Sequence, residues 1–117
     1  MFYENMPLYV KLVALLRAEY DIFRNLPKAY KYSLGQDLIN RTWNIIDLFI
    51  IVQTTTTKEG KSAKELVVEQ LSQQFDCLKL RVRFLTELKL ITLAQSAHLN
   101  SYTVEIGKMI GSWQKHV

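Results

Sequence analysis

The residues best able to do chemistry in this chain are the three cations of Leu78-Lys-Leu-Arg-Val-Arg-Phe-Leu85. On a helix, at about 100° per residue, Val67, Leu71, Phe75, Val82 and Leu85 gather within about 60° of Leu78, while Lys79 and Arg83 lie together at about 100 to 140°. Two like charges at i and i+4 repel by roughly 0.2–0.5 kcal/mol, so this pair points to an anionic partner. The competing arrangement is a solvated ladder, with Asp76 three residues before Lys79 and Glu87 four after Arg83 neutralising the two cations.

Catalytic constellations are not evident. His98 and His116 stand some five turns apart with no acid or cysteine at ligand spacing beside either, so no metal site is expected. The sequence holds no Gly-rich phosphate loop, nucleophile elbow or paired-carboxylate motif. The expectation is a protein that is not an enzyme and needs no cofactor. Glu19 stands out because it falls among Leu12, Leu15, Leu16, Ile22, Phe23 and Leu26, where an unpaired carboxylate is costly. Arg41 sits at the edge of a second apolar stripe, between Leu38, Ile45 and Leu48. Pairing of Glu19 with Arg41 across the core is the simplest remedy, as a register device; catalytic use of Glu19 is the sharper alternative.

These residues need a helical frame. A chain of 117 residues with 49% hydrophobic content suits one domain, residues 1–117, with a single core. A formal net charge of +4 suits nucleic acid or an acidic partner. The lone Cys77 has no second thiol, which fits a reducing cytoplasm. The first residues lack the pattern of a signal peptide, and the segment from Ile45 to Val52 is interrupted by Asp47 and too short to span a bilayer, so no membrane partner is expected.

Apolar positions recur near every 3.6 residues throughout, and no segment has a strand period. Pro7 opens the first helix and Pro27 ends it. Capping-box pairs Ser33/Gln36, Ser62/Glu65 and Thr92/Gln95 mark the starts of the next three. The β-branched and glycine-containing stretch from Thr54 to Lys61 reads as the longest and most mobile loop. Short connections favour antiparallel neighbours, which gives an all-α, up-down-up-down four-helix bundle.

Helix two carries two apolar stripes about 120° apart, one through Leu34, Leu38, Ile45, Leu48, Phe49 and Val52, the other through Ile39, Trp43, Ile46 and Ile50. Helix three repeats the feature with Leu66, Leu80, Phe84 and Leu88. The expected oligomer interface is therefore Ile39, Trp43, Ile46, Ile50, Leu80 and Phe84, used in a closed homo-oligomer; the alternative is a wide core with helices two and three as its central pair. Helix four aligns Leu99, Tyr102, Ile106, Met109, Ile110, Trp113 and Val117, flanked by Gly107 and Gly111. Each glycine costs about 1 kcal/mol in a helix interior, so both read as structural sites of close approach.

Asn25-Leu-Pro-Lys-Ala-Tyr-Lys-Tyr-Ser-Leu-Gly-Gln36 resembles the loop-to-helix signature of the four-helix-bundle group that includes the 23S rRNA intervening-sequence proteins. Leu78–Leu85 and Glu105-Ile-Gly-Lys-Met-Ile-Gly-Ser-Trp113 are closer to its other branch, the accessory variability determinant (Avd) proteins of diversity-generating retroelements. That resemblance implies a homopentameric, positively charged barrel of bundles that binds RNA or DNA largely without sequence preference and associates with the element's reverse transcriptase. It implies an accessory role in error-prone copying of a template RNA into cDNA, with nucleic-acid contacts at Lys79 and Arg83, and at Arg81, which lies near the apolar seam and is open to a subunit contact instead. Arg17 and Arg24 join them from their seven-residue spacing on helix one. The other branch, a small interaction module of undisclosed role, is the alternative.

Overall fold

A proline costs least in the first turn of a helix, where its missing N–H has no partner to lose, and Pro7 begins α1, Pro7–Arg24. Its buried side chains, Leu8, Leu12, Leu15, Leu16, Glu19 and Ile22, follow the three-and-four spacing of one face. Helical structure resumes at Lys28–Tyr30, passes through a π-helical turn at Lys31–Gly35 and continues as α-helix over Gln36–Thr54; this run, residues 28–54, is α2. Then come α3, Lys61–Glu87, and α4, Leu93–Lys115, while a short 3-10 turn, Phe2–Asn5, precedes α1. The computed structural model describes residues 2–54 and 61–115. The loop expected between Thr54 and Lys61, the cap expected from the Ser62 side chain, and His116 and Val117 therefore lie outside what is described.

Cross-helix contacts fix the topology. The Thr42 hydroxyl donates to Glu19 Oε2 at 2.8 Å, and the Tyr9 and Phe49 rings meet at 6.3 Å, so α1 and α2 run antiparallel. Arg81 reaches Asp37 and Arg41 reaches Gln74, so α2 and α3 do likewise. Thr86 and Ser96 hydroxyls meet at 2.9 Å across α3 and α4, and Lys11 pairs with Glu105 at 2.8 Å to bring α4 back onto α1. The described residues thus form the antiparallel four-helix bundle in chain order. Its core holds Leu12, Leu15, Leu38, Ile45, Phe49, Leu71, Leu78, Leu85, Leu99 and Ile106, all nearly fully buried, each such side chain contributing roughly 1.5–3 kcal/mol. Trp113 closes one end against Phe49, ring centroids 5.4 Å apart.

The caps agree with the sequence at one helix start and differ at another. Gln95 N–H donates to Thr92 Oγ1 at 3.0 Å and Thr92 N–H donates to Gln95 Oε1 at 2.8 Å, the reciprocal pair of a capping box. Ser33 caps nothing: its hydroxyl donates to the Ala29 carbonyl at 2.9 Å inside a helical run already under way. Pro27 starts that run, because its extended ψ of 145° turns the chain and its carbonyl accepts from Tyr30 and Lys31 N–H, both at 2.9 Å. Gly35 ends the π turn in a space with no room for a side chain, since a Cβ there would lie 2.7 Å from Leu26 Cδ1 and 3.3 Å from the Tyr30 carbonyl oxygen.

Three expectations about packing need correction. Ile39 and Ile46 are 5% and 4% exposed within the single chain, and Ile50 is half-buried, so these three are wholly or partly core. The two stripes of α2 are the edges of one face about 140° wide centred on Thr42, and α1 and α3 cover its two sides. Glu19 and Arg41 do not pair: Arg41 lies about 100° from Thr42 and turns to Asp37 at 3.1 Å and Gln74 at 3.3 Å. Gly107 faces Phe75 Cε2 at an ordinary 3.5 Å from a built Cβ, and Gly111 has nothing within 4 Å among the described residues, so close approach between these helices explains neither glycine.

Candidate nucleic-acid interface

The helical spacing that buries Leu78, Val82 and Leu85 leaves Lys79 and Arg83 on the flank of α3 that faces α4. There they line a cleft of about 250 Å³ with Val82 and Thr86 from α3 and Ser96, Asn100 and Thr103 from α4. Lys79 is held at the lip, its ammonium 3.2 Å from Asp76 Oδ1 and 5.3 Å from the centroid of the Phe75 ring. Arg83 is exposed and has no partner among the described residues; the ion pair with Glu87 that a neutralised ladder requires is not formed. Thr86 and Ser96 share a hydroxyl–hydroxyl bond, and Thr103 donates to the Asn100 carbonyl at 3.1 Å. The cleft therefore presents one tethered cation, one free guanidinium and neutral polar groups, a set suited to an anion such as a phosphodiester.

The other expected cations lie elsewhere. Arg81 points to the opposite flank, donating from Nε to Asp37 Oδ2 at 2.8 Å and from a terminal nitrogen to the Cys77 carbonyl at 3.1 Å. Arg41 donates to the same Asp37 oxygen. Partial burial works against ionisation of Asp37, but the hydrogen bonds from Arg81 and Arg41 outweigh it and hold the carboxyl below its ordinary range. Arg81 is thus a tie between α2 and α3. Arg17 and Arg24 are exposed on α1, which sits diagonally across the bundle from α3, and Arg24 is paired with Asp21.

Of the apolar residues expected at a subunit contact, Trp43, Leu80 and Phe84 are 44%, 47% and 44% exposed. Leu80 and Phe84 stand one turn apart on α3 between its two polar flanks, with Leu88 a turn further. Trp43 is steadied by its indole N–H, which donates to the Tyr20 hydroxyl at 3.0 Å.

Glu19 offers no access to a substrate. It is 1% exposed, burial pushes its pKa up to about 8 against the opposing hydrogen bond from Thr42, and its second oxygen has no partner among the described residues. Among the described residues no group of His, Cys, Asp and Glu side chains is arranged to hold a metal ion, and no helix is long and apolar enough to cross a membrane. The α4 half of the cleft, Ser96, Asn100 and Thr103, escaped the sequence reading because it depends on the rotation of α4 against α3, which the wheel of one helix does not contain.

A family model described as bAvd-like matches residues 8–117, all but the first seven positions. Comparison with curated proteins and with solved structures gives no match.

Proposed function

Because this chain belongs to the bAvd-like family of accessory proteins, we propose that it serves the reverse transcriptase of a diversity-generating retroelement in the cytoplasm. In this reading it docks on the enzyme, holds template RNA or cDNA by the backbone, and does none of the copying chemistry. The observation that carries the nucleic-acid part is the free Arg83 guanidinium beside Lys79 on the lip of a polar cleft. A cation pair kept for a solvated ladder would have both members neutralised; here only Lys79 is. Closure of subunits through Trp43, Leu80 and Phe84 into a ring, five by resemblance, would repeat the cleft around the assembly and add the sites by multivalency.

The test is binding of RNA and DNA across a salt series, for the wild type and a Lys79→Ala, Arg83→Ala double variant, with helicity and oligomeric state measured for both. Each neutralised phosphate releases counterions, so loss of two contacts should lower the slope of log K against log salt by about 1.4 to 1.8. An unchanged slope in an intact assembly removes these residues from the site. Retention of the reverse transcriptase on the immobilised protein after nuclease treatment tests the docking part, and loss of the enzyme at that step would leave nucleic acid as the only link.

A further inference from the structure

The charge of this protein is concentrated at one end of the bundle. Residues 21–37 and 79–93 carry seven cations against three acids, while the rest of the chain carries eight of each. The antiparallel topology brings these two segments together, because the α1–α2 corner and the α3–α4 corner lie at the same end and Arg81 ties one to the other through Asp37. Lys28 and Lys89 stand there with no partner among the described residues. Lys89 holds a left-handed backbone with φ of 58°, a conformation in which glycine is unstrained and a lysine is not.

The same corner exposes aromatic rings. Tyr32 is 66% exposed and Tyr30 38%. Tyr32 is not loose: it meets Phe23 edge-to-face, centroids 6.3 Å apart and planes at 83°. Lys31 lies over the same Phe23 ring at 5.5 Å and donates to the Arg24 carbonyl at 3.3 Å, so a cation is fixed beside Tyr32. A ring braced from below and open above, among cations, is the arrangement on which unpaired bases stack while their phosphates are neutralised.

We infer that the end of the bundle formed by Tyr32, Lys28, Lys31 and Lys89 is a platform for single-stranded nucleic acid, stacking a base on the Tyr32 ring and holding the flanking phosphates with the lysines. This rests on the nucleic-acid reading above and adds a preference that the Lys79–Arg83 cleft does not supply. A duplex keeps its bases inside and offers Tyr32 nothing to stack on.

The experiment uses a labelled oligouridine strand and an RNA duplex of equal length, titrated with the full chain across a salt series, with helicity checked for each variant. Tyr32→Ala should weaken single-strand binding about tenfold, leave the salt slope unchanged because no cation is lost, and leave duplex binding as it was. Tyr32→Phe should bind like the wild type, since stacking needs the ring and not the hydroxyl. Wild-type affinity in the alanine variant, equal loss for strand and duplex, or loss in the phenylalanine variant would each overturn the platform. If those results come with a reduced salt slope for the Lys79→Ala, Arg83→Ala variant, the platform fails and the cleft stands; a wild type that binds neither probe at low salt sinks both.

Discussion

At neutral pH the Glu19 side chain is a carboxylic acid, because burial pushes its pKa to about 8 from an ordinary 4.5. Below about pH 4.5 both folded and unfolded chains hold the proton, and the contribution to stability is fully present. From there to about pH 8 the unfolded chain releases a proton that the folded chain keeps, so stability should fall by about 1.4 kcal/mol per pH unit over that window. Glu19→Gln keeps the shape and an acceptor for the Thr42 hydroxyl but has no proton to release. Its midpoint in urea should be higher than wild type at pH 8 and nearly equal at pH 4, and parallel pH profiles for the two proteins would show that Glu19 does not titrate as described. The inward position of Glu19 was legible from its apolar neighbours. Its partner was not: choosing Thr42 over Arg41 requires knowing that both stripes of α2 are covered, which turns the inward direction to the line between them.

Among the elements, the end of α3 makes a prediction that stands apart from function. Leu90 N–H bonds to Leu85 O at 3.0 Å and Lys89 N–H to Thr86 O at 3.0 Å, the two bonds of a Schellman motif with Lys89 at the left-handed position. Lys89→Gly should raise stability by about 1 kcal/mol in chemical denaturation. If the lysine contacts phosphate, the same change should lower the salt slope of nucleic-acid binding, separating the two roles of one residue. A destabilised glycine variant would mean that the lysine stem supports the corner. The four helices could be read from period and from proline placement, because those signals are local. The π turn at Lys31–Gly35 could not: Ser33 and Gln36 have capping-box spacing, and only the earlier start at Pro27 makes them interior.

For the whole molecule, the division between core and contact surface decides which substitutions dissociate and which unfold. Leu80→Glu with Phe84→Glu changes exposed positions, so a closed oligomer should fall to monomer in sedimentation with its helicity retained. Ile46→Glu places a carboxylate in a position that is 4% exposed and should instead cost helicity, as a charge buried without a partner does. A wild type that sediments as a monomer at micromolar concentration would end the oligomer proposal. What was legible is that Trp43, Leu80 and Phe84 lie outside the core whichever way the bundle closes. Ile39 and Ile46 belong to it only if α1 packs narrowly on α2, and the width of a packed face is a property of neighbours.

The π turn has a bearing on how the chain tolerates changes in length. It accommodates one residue more than the α-helix on either side would use, so a deletion between residues 31 and 35 can be absorbed by returning to the tighter winding. Everything from Gln36 onward would keep its phase against α1 and α3. What precedes the deletion would keep its phase as well, leaving Tyr30 and the Phe23-facing side of the corner in their present direction. The segment is a slack of one residue, at which the chain can shorten with both the corner and the bundle left in register.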